Sequence, residues 1–148
     1  MSIWWSLHLR REAASVPLAR RLLLGAMETA GVEADVAYEL SVALSEACAN
    51  AVEHGGGPGH GERYRVTAYL DGDVCRIEVT DHGPGFVPPV MAGGPAEPDE
   101  TEHGRGLFLI NALADHVRYR NGPGDGAVVT FDKILKLRDD SLLRTTPC

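Results

Sequence analysis

Cysteine is scarce in this sequence. The three residues, Cys48, Cys75 and Cys148, are odd in number, far apart and form no C-x-x-C pair. That excludes a disulfide framework or a zinc knuckle and fits a reducing, cytoplasmic setting. No apolar run approaches the 18 residues a membrane helix needs, so no membrane association is expected. The opening MSIWWSLHLRR has neither a basic region ahead of its apolar stretch nor a small-residue cleavage site, and does not read as a signal peptide. Positive charge is also short, with 14 Lys and Arg against 21 Asp and Glu and a net charge of −7. Direct nucleic-acid binding by bulk electrostatics is therefore not expected. A single nucleotide is not excluded, because one local loop can hold it whatever the global charge. Internal repeats are absent.

What is present is one domain's worth of chain, 148 residues and 15.9 kDa, long enough for a core without staples. Ile3, Trp5, Leu7 and Leu9 alternate with Trp4, Ser6, His8 and Arg10, which predicts a strand. Ser15 and Pro17 open a helix with an apolar stripe from Leu18 to Met27, and Gly31 closes it. Glu33 to His54 predicts a longer helix with Val36, Leu40, Ala43, Leu44, Ala47 and Ala51 as its apolar side. The run GGGPGHG at 55–61 breaks it. Tyr64–Leu70 and Val74–Thr80 alternate on either side of Asp71-Gly72-Asp73, a hairpin signal. Residues 86–103 carry four prolines and two glycines, and a loop of that length in a compact domain is functional or disordered. A short helix at Gly106–Ala114 and a closing hairpin of Val117–Arg120 with Ala127–Lys133 follow. Residues 135–148 read as a flexible tail. Hairpin strands with helices to one side predict an α+β fold, a two-layer sandwich with a mixed, mostly antiparallel sheet and its domain over 1–134.

Three segments carry chemistry. Glu39, Glu46, Asn50 and Glu53, at spacings of 7, 4 and 3, share one helix stripe. A solvated helix face would look the same. Asn is a poor helix-interior residue, however, and the surrounding Ser45-Glu46-Ala47-Cys48-Ala49-Asn50-Ala51 is otherwise small. Carboxylate and amide oxygens one turn apart suit a hard cation such as Mg²⁺. Asp81-His82-Gly83-Pro84-Gly85-Phe86 follows a strand directly; its Asp can accept from an exocyclic amine, and Gly83 lets a flat ring approach. His103-Gly104-Arg105-Gly106-Leu107 opens a helix with a glycine pair, an anion-binding pattern. Neither glycine pair is a Rossmann or Walker motif. His54, His60, His82 and His103 are the competing metal-site candidates, but they lack a C-x-x-C or H-E-x-x-H frame.

In this order the three segments resemble the nucleotide-binding boxes of the bacterial GHKL (histidine-kinase-like) ATPase superfamily, most closely its anti-sigma-factor serine/threonine kinases. SEACANAVEHG at 45–55 resembles the N box, DHGPGF at 81–86 the first glycine box and HGRGLFLI at 103–110 the second. The resemblance covers roughly residues 3–133 and implies a Bergerat-type ATP-binding fold. It implies Glu46 as the catalytic general base, Asn50 as the Mg²⁺ ligand and Asp81 as the acceptor for the adenine amino group. Gly83 and Gly85 would flank the base, Gly104, Arg105, Gly106 and Leu107 would line the phosphates, and 86–103 would be the ATP lid. The implied function is an ATP-binding regulator that sequesters a sigma factor and phosphorylates a serine on an antagonist. A non-catalytic nucleotide-binding module that sequesters its partner is the alternative. Two features depart from the family. Ala127 and Val128 follow Gly126 where a Thr is frequent, and the lid carries Glu97, Asp99, Glu100 and Glu102 with no Lys or Arg before Arg105. The resemblance further implies a homodimer through the first strand, with Trp4 or Trp5 off the core side, and partner docking around Arg20.

Overall fold

The computed structural model describes residues 2–54, 63–81, 102–122 and 126–144, with the backbone alone at 54, 102–107, 121, 122 and 126. The elements run β1 (Ser2–Arg10), α1 (Ser15–Ala30), α2 (Ala34–His54), β2 (Arg63–Asp71), β3 (Val74–Asp81), α3 (Glu102–Leu113), β4 (His116–Gly122) and β5 (Gly126–Ile134). The five strands form one sheet in the order β1-β2-β3-β5-β4. All four pairings are antiparallel. The two-layer α+β sandwich expected from the alternating segments is the architecture found.

Alternation explains the two layers. In β2, Tyr64, Val66, Ala68 and Leu70 are buried, and the register carries that parity to Cys75, Ile77 and Val79 in β3 and to Val129 and Phe131 in β5. Against this face pack Leu23 and Met27 of α1 with Leu40, Leu44 and Cys48 of α2, all essentially without solvent contact. Trp5, Leu7 and Ile3 of β1 lean on the same core, whereas Trp4 points to the open face of the sheet, 68% exposed, with its ring stacked 6.4 Å from that of Tyr69. The β2–β3 hairpin turns through Gly72 at φ 58, and no other residue type in the described chain has positive φ. A left-handed glycine at the first of two turn positions is what a type II′ hairpin requires.

The C-terminal segment differs from its expected tail. Residues 135–144 pack back onto the C-terminus of α1, with Leu135 and Leu143 buried. α1 ends at Gly31, whose φ of 84 lets the Gly31 and Val32 N–H groups reach the Glu28 and Met27 carbonyls. Its last carbonyls then find donors from far along the chain. Ser141 Oγ donates to Ala30 O at 2.5 Å, Arg138 N to Gly31 O at 2.7 Å and Arg138 Nη2 to Glu28 O at 2.9 Å. A Cβ at Gly31 would stand 2.6 Å from Ser141 Cα, so glycine is required there for space as well as for φ. The physical reason is the unmet carbonyls of a helix end, which any nearby donors stabilise. Residues 145–148 lie outside the described residues.

This packing sets a contrast between neighbours. Leu143 is fully buried and Leu142 is half exposed. Leu143→Ala is expected to cost about 2–5 kcal/mol by urea denaturation, and Leu142→Ala no more than about 0.5 kcal/mol. Equal effects would contradict the docked segment.

Candidate functional site

The polar stripe on α2 is not a solvated face. Glu53 is exposed, Glu39 and Glu46 are half-buried and Asn50 is only 4% exposed. Around Asn50, Ala43, Ala47 and Ala51 are buried. The serines of this helix are absorbed by their own backbone, Ser41 Oγ donating to Tyr38 O and Ser45 Oγ to Ser41 O. Asn50 is different: its buried Nδ2 has no hydrogen-bond partner among the described residues. A buried amide with an unmet end costs stability unless a ligand meets it. The donor chemistry fits both parts of a metal nucleotide. The amide nitrogen can donate to a phosphate oxygen, and the amide oxygen can bind a hard cation or its water. Among the described residues no group of three or more His, Cys, Asp or Glu could hold a metal. A cation here would have phosphates and water for most of its shell, as Mg²⁺ often does.

Asp81 is the last residue of β3, buried, with Tyr64 of β2 beside it in register on one side and Ala127 of β5 on the other. Its Oδ1 accepts a hydrogen bond from Arg11 Nη2, in an ion pair whose side chains are 4% and 8% exposed. Ala127 stands at the departure noted in the sequence, so no hydroxyl reaches Asp81 from that neighbour.

Tyr64 carries the second buried polar link. Its hydroxyl lies 2.5 Å from Ser15 Oγ, and Ser15 Oγ donates onward to Glu12 O at 2.7 Å. Because the Ser15 proton is used on that carbonyl, Tyr64 donates to Ser15. The Cys48 thiol is buried beside the same hydroxyl. The starts of α1 and β2 thus meet at one phenol, with α2 packed beside it. Burial pushes the Cys48 thiol up to about 12 and raises the Tyr64 hydroxyl as well, with the neighbouring thiol adding to the second shift. Both stay protonated at neutral pH and serve as structural hydrogen-bonding groups.

The second glycine box lies inside a helix. α3 begins at Glu102, four residues before the expected start, so Gly104, Arg105, Gly106 and Leu107 occupy its first turns. That places the glycine pair among the N–H groups that a helix start leaves unmet. The side chains at 102–107 lie outside the described residues. So do Gly83, Gly85, residues 86–101 of the lid, and the side chains of His54, His60, His82 and His103. Lys133 Nζ, facing the helix layer from β5, donates to Leu113 O at 2.7 Å at the far end of α3 and lies 3.9 Å from Glu39. It fixes α3 against the sheet and against α2.

Glu46 and Asn50 thus share one helix, Asp81 ends the central strand, and α3 packs against the same helix as the first pair. The sequence profile of the histidine kinase-like ATPase domain matches residues 9–133. The chain belongs to the histidine kinase-like ATPase family. It is 31% identical over 133 residues to the serine-protein kinase RsbW of Halalkalibacterium halodurans, covering 84% of this chain and 78% of that one. An anti-sigma F factor of Pasteuria penetrans is 33% identical over 102 residues, covering 66% of this chain and 68% of its own length. Among solved structures, the RsbU and RsbW domains of a Mycobacterium tuberculosis protein superpose with a TM-score of 0.69 at 22% identity, over 90% of this chain and 32% of that one. The shared fold is that of this GHKL kinase group.

Three residues that matter to the site were not singled out in the sequence: Arg11, Tyr64 and Cys48. For Arg11 a signal existed, since the inward parity of Leu7 and Leu9 continues to position 11. Tyr64 and Cys48 gave none, because a phenol and a thiol in apolar surroundings read as core.

The raised thiol makes a direct prediction. With an apparent value of about 12, Cys48 is thiolate in only about one molecule in 10⁴ at pH 8. Burial raises Cys75 to about 12 too. Iodoacetamide at pH 8 is expected to leave both unmodified in the native protein and to label both in 6 M guanidinium, read by peptide mass spectrometry. Rapid native labelling of Cys48 would contradict its burial against Tyr64.

Proposed function

We propose that this chain is an ATP-dependent serine kinase that regulates a sigma factor by holding it and by phosphorylating an antagonist protein. The observation that carries the reading is the buried Asn50 amide with an unmet end, one helical turn after the half-buried Glu46 carboxylate. The names of the relatives, anti-sigma F factor and serine-protein kinase, supply the partner class and the acceptor residue.

In this reading Asp81 accepts from the adenine amino group, Gly83 and Gly85 flank the ring, and Gly104, Arg105, Gly106 and Leu107 line the phosphates at the start of α3. Asn50 is the protein ligand of Mg²⁺, which neutralises phosphate charge and shields it from the incoming nucleophile. Glu46 takes the proton of the antagonist's serine hydroxyl as the serine oxygen forms its bond to the γ-phosphorus. The bond from that phosphorus to the β–γ bridging oxygen breaks, and ADP leaves. No helix among the described residues is long and apolar enough to cross a membrane, and in this reading the nucleotide is exchanged in the cytoplasm.

Two surfaces remain for protein partners. On α1, Leu18 and Leu22 are exposed one turn apart, and Arg20 lies over the exposed Tyr38 ring at 5.7 Å. The exposed leucine pair on one side of α1 and the Arg20–Tyr38 contact on its other side suit the sigma factor or the antagonist. On the open sheet face, Trp4 and Tyr69 stack near the exposed Val74 and Ile134, in rows that the strand register sets side by side. This patch, with β1 as the sheet's edge, suits a second copy of the chain. Light scattering at tens of micromolar is expected to give a dimer mass, and Trp4→Glu a monomer; a monomeric parent removes this assignment.

The kinase reading is tested by two variants that fail differently. Glu46→Gln keeps size and hydrogen bonding but cannot accept the proton, so it is expected to bind Mg·ATP normally and to transfer phosphate about 10²–10⁴-fold more slowly. Asn50→Ala removes the metal ligand, so Mg²⁺-dependent nucleotide affinity is expected to fall together with transfer. Calorimetry and γ-labelled ATP with candidate antagonists read both. Parental transfer rates in Glu46→Gln would end the general-base role. A parent that binds ATP yet labels no antagonist would leave a non-catalytic module.

A further inference from the structure

The Arg11–Asp81 pair is unusual for how little of the guanidinium it uses. Arg11 sits one residue past the end of β1 and continues the inward parity of that strand, so its side chain enters the helix side of the sheet rather than solvent. Only Nη2 is engaged, by Asp81 Oδ1 and, at 3.4 Å, by the Arg63 carbonyl. Nε and Nη1 are buried and have no hydrogen-bond partner among the described residues. Arg138 offers the contrast: its guanidinium caps the end of α1 and pairs with Glu28, a purely structural use. Burying two charges to make a single hydrogen bond between them is a poor way to gain stability, since desolvation offsets most of the attraction.

We propose that Arg11 is a positioning residue of the nucleotide site, which fixes the Asp81 carboxylate so that it selects purines bearing a 6-amino group over those bearing a 6-oxo group. This rests on the reading of Asp81 as the base acceptor. An ionised carboxylate only accepts hydrogen bonds, so a 6-amino group meets it favourably and a 6-oxo group is repelled. That selection holds only while the carboxylate keeps its orientation. Of its two neighbours in register, Tyr64 directs its hydroxyl to Ser15 and Ala127 has no polar side-chain atom. Arg11, anchored at the same nitrogen to the β2 backbone, supplies the fixed direction. Without it the carboxylate loses that charged anchor, and a water taking the place of the guanidinium can donate to a 6-oxo group as readily as it accepts from an amine.

The test compares ADP with inosine diphosphate, which differ at that one position, by calorimetry on the full chain. The parent is expected to prefer ADP by about tenfold or more, the scale of one charge-assisted hydrogen bond. Arg11→Met should lose most of that preference, chiefly through weaker ADP binding, while inosine diphosphate affinity moves less than about threefold. Arg11→Lys, which keeps a cation of similar reach, should recover at least part of the preference. If Arg11→Met does not fold by circular dichroism, Arg11→Gln keeps length and a donor, and is expected to lose the preference in the same way. A purely structural arginine would weaken both nucleotides equally, so an unchanged ADP preference in the folded neutral variant overturns the proposal. Asp81→Asn separates the two levels. If it abolishes the preference while the Arg11 variants do not, Asp81 reads the base and Arg11 does not position it. If Asp81→Asn keeps the preference as well, the base-acceptor reading itself fails.

Discussion

Everything at the site hangs on the register that sets Tyr64 beside Asp81 at one end of the β2–β3 pair. Both side chains point into the helix layer, and each is tied to a different piece of chain. Tyr64 holds Ser15 at the start of α1, with Cys48 of α2 buried beside it, and Asp81 holds Arg11 in the segment between β1 and α1. A slip of β2 by one residue would turn Tyr64 outward, away from Asp81, and would bring Arg63 or Arg65 to face the core. It would also lift the buried row from Val66 to Leu70 into solvent, so the same hydrophobic alternation that builds the sheet protects the geometry of the site.

In the proposed reading, the region around α2 trades stability for a ligand. Ala43, Ala47 and Ala51 bury less area than the Leu or Ile residues that a core helix of this length could carry, and Asn50 buries an amide without meeting both its ends. Large side chains fill much of the remaining core. Leu23, Met27, Leu40, Leu44, Ile77, Phe131 and Leu143 are all fully buried. In the proposed reading, the small residues and the unmet polar group on this helix leave room for a ligand to complete the packing.

Local patterns made most of the fold legible. Period-two alternation located all five strands to within two residues, and Gly31 and Asp71-Gly72-Asp73 placed a helix end and a hairpin through their backbone conformations. The N-box stripe was legible because Asn in a small-residue helix breaks local expectation. What local patterns could not convey was partnership across the chain. Ser141 looks like a tail residue until its hydroxyl is seen on the Ala30 carbonyl, 111 positions away. Arg11 looks like one of a surface pair, although strand parity separates the inward Arg11 from the exposed Arg10. α3 starts before its glycines because a helix's first turn makes no intrahelical demand on side chains, so glycine there costs less than in its interior.

The anchoring of α1 has a consequence for how the two proposed activities share one small domain. It carries the exposed Leu18 and Leu22 on one side and Arg20 on another, its N-terminus is bonded through Ser15 to Tyr64, and its C-terminus is clamped by Arg138 and Ser141. The clamp is built from backbone carbonyls and a fully buried leucine and is remote in sequence from every glycine box. The N-terminal anchor is a single phenol beside Asp81. A ligand that shifts Asp81 or Arg11 therefore acts on the end of α1 nearer Leu18 and Arg20, while the other end stays fixed by the C-terminal segment. Contact alone does not make a switch; coupling requires that this anchor have two arrangements of similar free energy. The hydroxyl relay from Tyr64 to Ser15 to Glu12 is suited to that, because each hydroxyl can exchange one acceptor for another by rotating about a single bond.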